Sequence, residues 1–183
     1  MTDSDSVPTL TDYLTGRTIP DVGAESHRQA VIRFLVEKKG YERESLWMDA
    51  PLRTAIAGQP YCARIDLIVK AGTPPRALMA FKCCAGSLGS REREILAAAR
   101  IFAETPIPLA VVSDGRTAIL LDTASGKPRA RGLENLPSAQ EASGLAAALN
   151  PAPYPEDRLE REKRIFRTYD QDNVNIIRPG DKD

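Results

Sequence analysis

Cysteine, histidine and aromatic residues are all scarce in this 183-residue chain, which has three cysteines, one histidine (His27) and 5% Phe, Trp and Tyr. Two of the cysteines, Cys83 and Cys84, are neighbours, and neighbours pair poorly because a disulfide asks for about 5.5 Å between Cα atoms. A disulfide framework is therefore excluded, and buried free thiols acting as small hydrophobes are expected. One histidine without any CxxC spacing also argues against a zinc site. Few aromatics leave little for base stacking on single strands. No apolar run approaches the ~20 residues of a membrane span. The opening MTDSDSVPTL has neither the basic start nor the apolar stretch of a secretory signal. A cytoplasmic protein with no membrane partner is the expectation. An excess of one charge is missing too: 25 Lys and Arg balance 25 Asp and Glu. With a pI near 6.6 the chain is no polycation, so any contact with nucleic acid has to come from a local patch.

What is present is an ordinary globular composition, 42% hydrophobic and 27% charged, in a chain long enough for one domain with its own core. Residues 1–20 are rich in Ser, Thr, Asp and Pro, with a short helix expected around Leu10–Leu14. Ala24 to Lys39 has helical spacing, with Val31, Ile32, Phe34, Leu35 and Val36 apolar and Gly40 as the stop. At 100° per residue Glu25 and Arg28 fall toward the side of Ile32 and Leu35. The first turn of this helix should thus reach past the core into a cleft. Strands are expected over Leu46–Ile56, Tyr61–Val69 and Arg76–Cys84, with turns at 57–60 and 72–75. A helix over Arg91–Ala103 follows, then short strands at Leu109–Val112 and Thr117–Leu121, a loop over 125–137, and helices at Ser138–Leu149 and Asp157–Tyr169. Three antiparallel strands, a crossover helix and further strands predict an α/β fold, a central mixed sheet flanked by helices.

The most informative stretch is RIDLIVKAGTPPRALMAFKCCAG, residues 64–86. Asp66 interrupts one apolar run and Lys82 ends the next. Each alone reads as a charge at a strand end, paired or snorkelling. Joined by a tight turn they can meet at one sheet edge, within reach of Glu25 and Arg28. Charges there are costly unless paired or used.

At these residues the chain resembles a family, the N-terminal domain of the restriction subunit of type I restriction enzymes, within the PD-(D/E)xK restriction-endonuclease-like fold. The resemblance runs from about Leu10 to Pro137. It rests on Glu25-x-x-Arg28-Gln29, Gly40-Tyr41, Arg64-x-Asp66-Leu-Ile-Val, Ala80-Phe81-Lys82, SREREILAAARIF (90–102) and PLAVVSDGRTAILLDTASGK (108–127). It implies an N-terminal arm (1–20), a nuclease-like domain (21–137) and a C-terminal helical extension (138–183). It further implies catalytic Asp66, Lys82 and Glu25, with Mg²⁺ as the cofactor of an active member. Mg²⁺ prefers hard oxygen ligands, and a lysine favours charge developing on the attacked phosphate. Where the family pattern has Glu, this chain has Ala80, which ligates nothing. A metal set of Asp66, Glu25 and a relocated Glu94 is the alternative, with Glu92 as another donor. The ordinary expectation for Arg91-Glu92-Arg93-Glu94 is a solvated face of alternating charge. Arg28, Gln29, Arg91 and Arg93 are the candidate nucleic-acid contacts. The basic residues of the last helix, Arg158 to Arg167, fit an ion-paired exposed face better than a phosphate site. Three classes of function stay open: a DNA-binding or accessory domain with a degraded metal site, an active Mg²⁺-dependent endonuclease, and a protein-interaction module. A homo-oligomer or a restriction-system partner is compatible with each.

Overall fold

A computed structural model describes residues 7–172. A small hairpin comes first, β1 (Thr9–Thr11) and β2 (Thr18–Pro20), pairing Leu10 with Ile19. The short helix expected around Leu10–Leu14 is thus a strand followed by a turn. Asp12 decides this locally, because its Oδ1 accepts from the backbone N–H groups of Leu14 and Thr15 and closes a turn.

Helix α1 (Glu25–Lys39) buries Val31, Ile32 and Leu35 and ends at Gly40, whose φ of 73° lets its N–H return to the Leu35 carbonyl. A six-stranded sheet then runs in the order β3-β4-β5-β6-β7-β8. Its strands are β3 (Leu46–Ile56), β4 (Gln59–Ala71), β5 (Arg76–Cys83), β6 (Leu109–Ser113), β7 (Ala118–Asp122) and β8 (Pro128–Arg131). All neighbours are antiparallel except β5 and β6, which are parallel and joined through α2 (Glu92–Ile101). The mixed sheet with flanking helices is the architecture expected from the order of elements. β8 is the addition: the stretch expected as loop pairs with β7 and shifts register at Leu120/Leu121. Its four residues, PRAR, carry only one apolar side chain able to signal a strand.

The sheet is covered on both faces. One core contains Val31, Ile32 and Leu35 of α1 with Leu67, Val69, Met79, Phe81 and Val111, and Ala142 and Ala146 of α3 (Ala139–Ala148). The other holds Ile95 and Ala98 of α2 against Ile68, Ala80 and Ala110, with Phe166 of α4 (Glu156–Asp172). β6 is buried along its whole length, as a strand between two covered faces should be. The extension expected at 138–183 holds α3 and α4, and residues 173–183 lie outside the described residues, as do 1–6 of the expected arm.

The β3–β4 hairpin reaches beyond this sheet. β5 pairs with β4 only from Leu67 to Ala71, whereas β3 stays paired with β4 down to Ile56–Gln59. Residues 50–65 therefore form a two-stranded arm. Its root is at Asp49 and Asp66, where the pairing skips between Met48–Leu67 and Ala50–Ile65. Asp49 adopts φ 49°, in the left-handed region. In an unbroken strand Ala50 and Leu52 would share a face with Leu46. They pack instead in the other core, so the chain rolls over at Asp49.

Candidate functional site

The arm root in the middle of β3 and β4, the first turn of α1 and the C-terminal end of β5 line a cleft of about 400 Å³. Glu25, Arg28, Asp66, Lys82 and Arg91, five of the residues singled out from sequence, line it. Their convergence follows from register. β4 and β5 pair Leu67 with Phe81 and Ile68 with Ala80, which sets Asp66 beside Lys82 one step on. Asp66 is 4% exposed. Its Oδ2 accepts from the Cys83 backbone N–H at 2.8 Å and lies 3.9 Å from Lys82 Nζ, contacts that a buried carboxylate requires.

Glu94 is where the expected solvated face fails. It is 3% exposed and turns inward from α2, with Oε1 2.7 Å from Lys82 Nζ and Oε2 3.1 Å from Arg91 Nη1. The alternating sequence reads as surface, but Glu94 precedes Ile95 on a helix whose first turn lies over the sheet, and Lys82 supplies the charge that makes its burial tolerable. Lys82 is thus gripped by two carboxylates, one from β4 and one from α2.

Arg28 is the other buried cation. Its Nη2 meets Glu25 Oε2 at 2.6 Å, its Nη1 meets Asp49 Oδ1 at 2.8 Å, and the same nitrogen donates to the Asp66 carbonyl at 3.3 Å. Burial works against the charged guanidinium, yet Asp49 and Glu25 outweigh it and hold the group above its ordinary pKa. Gln29 donates to Glu25 and accepts from the Tyr13 backbone N–H. It therefore orients Glu25 and ties α1 to the N-terminal hairpin, and it is not among the residues lining the cleft. Arg93 points the other way, toward Glu162 of α4 at 3.4 Å. Sequence reasoning missed Asp49 and read Arg64 only as part of the Arg64-x-Asp66 motif, and both also line the cleft. Asp49 had a signal, a lone carboxylate in the apolar run Trp47–Leu52 like that of Asp66 between Ile65 and Leu67.

The thiols divide. Cys83 and Cys84 are buried, as expected, but Cys62 on the arm is exposed, because its position faces away from the core that Ala63 and Tyr61 join. Burial, followed by the negative charge of Asp66, pushes the Cys83 thiol well up, and burial also raises Cys84.

The donor set does not fit a Mg²⁺ ion. Glu25 is bound to Arg28 and Gln29, Asp49 to Arg28, and Asp66 and Glu94 to Lys82. Ala80 is fully buried in the apolar core beneath α2. Among the described residues no group of three or more His, Cys, Asp or Glu side chains is arranged to hold a metal ion. Hard-oxygen coordination needs carboxylates that face a shared point, and here the positive charges come from the protein itself. No helix among the described residues is long and apolar enough to cross a membrane.

No curated protein and no solved structure matches the chain. The family model described as type I restriction enzyme R protein N terminus matches residues 23–137, more than half of the chain and the whole of the cleft apart from its N-terminal rim, and the chain belongs to that family.

Proposed function

We propose that this chain is a restriction-related domain that binds duplex DNA through the cleft and does not cut it. In the PD-(D/E)xK reading, Asp66 and Lys82 are what remains of a metal-dependent phosphodiester site, and Ala80 stands in the place of its second carboxylate. The observation that carries the proposal is the seat of Lys82. Its ammonium sits between Asp66 Oδ2 at 3.9 Å and Glu94 Oε1 at 2.7 Å, and Arg91 holds the other oxygen of Glu94, so both carboxylates already face cations of the protein itself. Binding then relies on Arg91 and Arg64 at the rim, with Lys82, Arg28 and Glu25 shaping the floor. Cleavage would need a positioned metal and a polarised phosphoryl oxygen, for which the donors face the wrong partners.

The test is duplex binding and plasmid nicking in Mg²⁺, in Mn²⁺ and in EDTA. The expected result is binding that is indifferent to the divalent ion, with no nicking. Nicking that disappears in Asp66→Ala would overturn the proposal. One observation favours a second reading, an endonuclease with a relocated acid: Glu94 is turned in toward Lys82 rather than out to solvent. Its ligand set would be Asp66, Glu94 and Glu25, and nicking lost in Glu94→Gln would identify it. A wild-type chain that fails to bind duplex even at low salt would leave the protein-interaction module.

A further inference from the structure

The arm continues the cleft. Along residues 50–56 burial alternates, with Ala50, Leu52 and Ile56 buried, Thr54 half-buried and Pro51, Arg53 and Ala55 exposed. The partner strand repeats this, with Pro60, Cys62 and Arg64 exposed. Register pairs Pro51 with Arg64 and Arg53 with Cys62, so these residues share one outer face of the arm. The inner face is occupied: Ala50, Leu52 and Ile65 pack in the core that contains Phe166 of α4. Tyr61 also donates to Asp170 Oδ2 at 2.5 Å.

The outer face has a charge pattern of its own. From Ala50 to Ile65 the chain contains Arg53 and Arg64 and no Asp, Glu or Lys, although the molecule as a whole is neutral. The other side chains of that face are small: Pro51, Ala55, Pro60 and Cys62. Arg64 lies where the arm meets the cleft and lines it. Arg53 and Arg64 are diagonal neighbours across the strand pair, about 7–8 Å apart. Duplex DNA rises ~3.4 Å along its axis per phosphate of each strand, and the winding of the backbone sets neighbouring phosphates wider apart than that rise, so this spacing suits neighbouring phosphates of one strand.

We propose that the outer face of the β3–β4 arm is a phosphate track, with Arg53 and Arg64 contacting the backbone of a duplex as it leaves the cleft. The proposal rests on the DNA-binding reading above and adds where the duplex runs. A two-stranded ribbon with small side chains between its arginines lets a backbone approach closely. The cations deeper in the cleft, Arg28 and Lys82, are already held by carboxylates, which leaves the contact to the arm and rim. Sequence-independent holding is the expected mode, since nothing on this face offers base-edge recognition beyond the two guanidinium groups.

The test is fluorescence anisotropy of a labelled mixed-sequence duplex titrated with the full chain across a salt series. Arg53→Ala, Arg64→Ala, the double variant and a control, Arg129→Ala, are compared with the parent. Arg129 lies on β8 at the opposite edge of the sheet. Each arm substitution should make the slope of log K against log salt shallower by about 0.9, and the double variant by about twice that. The control should keep the parental slope. Circular-dichroism melts identify any variant that fails to fold, and Arg53→Ala, at an exposed position away from the core, decides if Arg64→Ala does not fold. Parental slopes in the arm variants would overturn the track and leave the DNA-binding reading intact. A parent that binds no duplex would overturn both. Equal losses in Arg129→Ala would also overturn it, since the attraction would then be diffuse.

Discussion

At the scale of single residues the cleft is a set of charges that satisfy one another. Arg28 is held by Glu25 and Asp49, and Lys82 by Glu94 and Asp66. Removing one partner from such a buried pair leaves a charge with no compensation, so these residues are as much part of the fold as of the site. The cysteines offer a direct check on this geometry. The Cys83 and Cys84 thiols are buried, with their pKa values pushed up, so the reactive thiolate is scarce at neutral pH. Cys62 is exposed. A thiol-specific reagent on the folded chain should modify one cysteine quickly, and all three only in denaturant. Peptide mapping should place the fast adduct at Cys62. Fast labelling of Cys84 would mean that the cleft opens more widely than described. Raising the pH should speed the two slow thiols, because deprotonation then approaches their elevated pKa values.

At the scale of elements the arm depends on α4. That helix packs Phe166, 3% exposed, into the core under Leu52 and Ile65. Its Glu162 accepts from buried Arg100 at 3.2 Å, linking it to α2. Glu162 was expected on an ion-paired exposed face, which α4 keeps only at pairs such as Lys163–Glu160. An arm paired on one side and packed on one face has little stability of its own. Phe166→Ala should cost about 3–5 kcal/mol, measured by urea denaturation. Hydrogen exchange of the amides from Tyr61 to Ile65 should also rise more than that of β6. Unchanged exchange in the arm would show that α4 does not brace it.

At the scale of the whole molecule a mixed sheet buries helices on both faces, and the cleft opens where the projecting hairpin leaves that sheet. The molecule is electrically neutral, so binding to polyanions has to be local and salt-sensitive. Its response to divalent ions follows from the donor set. A Mg²⁺ ion bound at 100 times its Kd would add about 2.7 kcal/mol to stability. The melting temperature is expected to be the same in EDTA and in millimolar Mg²⁺. A clear rise abolished by Glu94→Gln would favour the endonuclease with a relocated acid.

The sequence by itself determined the order of elements from α1 to β7, the apolar faces and the meeting of Asp66 with Lys82, but not the β1–β2 hairpin or β8. Local periodicity and tight turns carry that information over a few residues. It also pointed Glu25 and Arg28 at the site, because helical spacing fixes which residues share a side. It could not place Glu94, whose neighbours Arg91, Glu92 and Arg93 read as surface, since its burial depends on a lysine twelve residues earlier on another element. Nor could it show the roll of the chain at Asp49 or the role of α4 under the arm. These depend on contacts between residues far apart in the chain. What Asp66 and Lys82 face was decided only when α2 was laid over the sheet and brought a second carboxylate to the same ammonium.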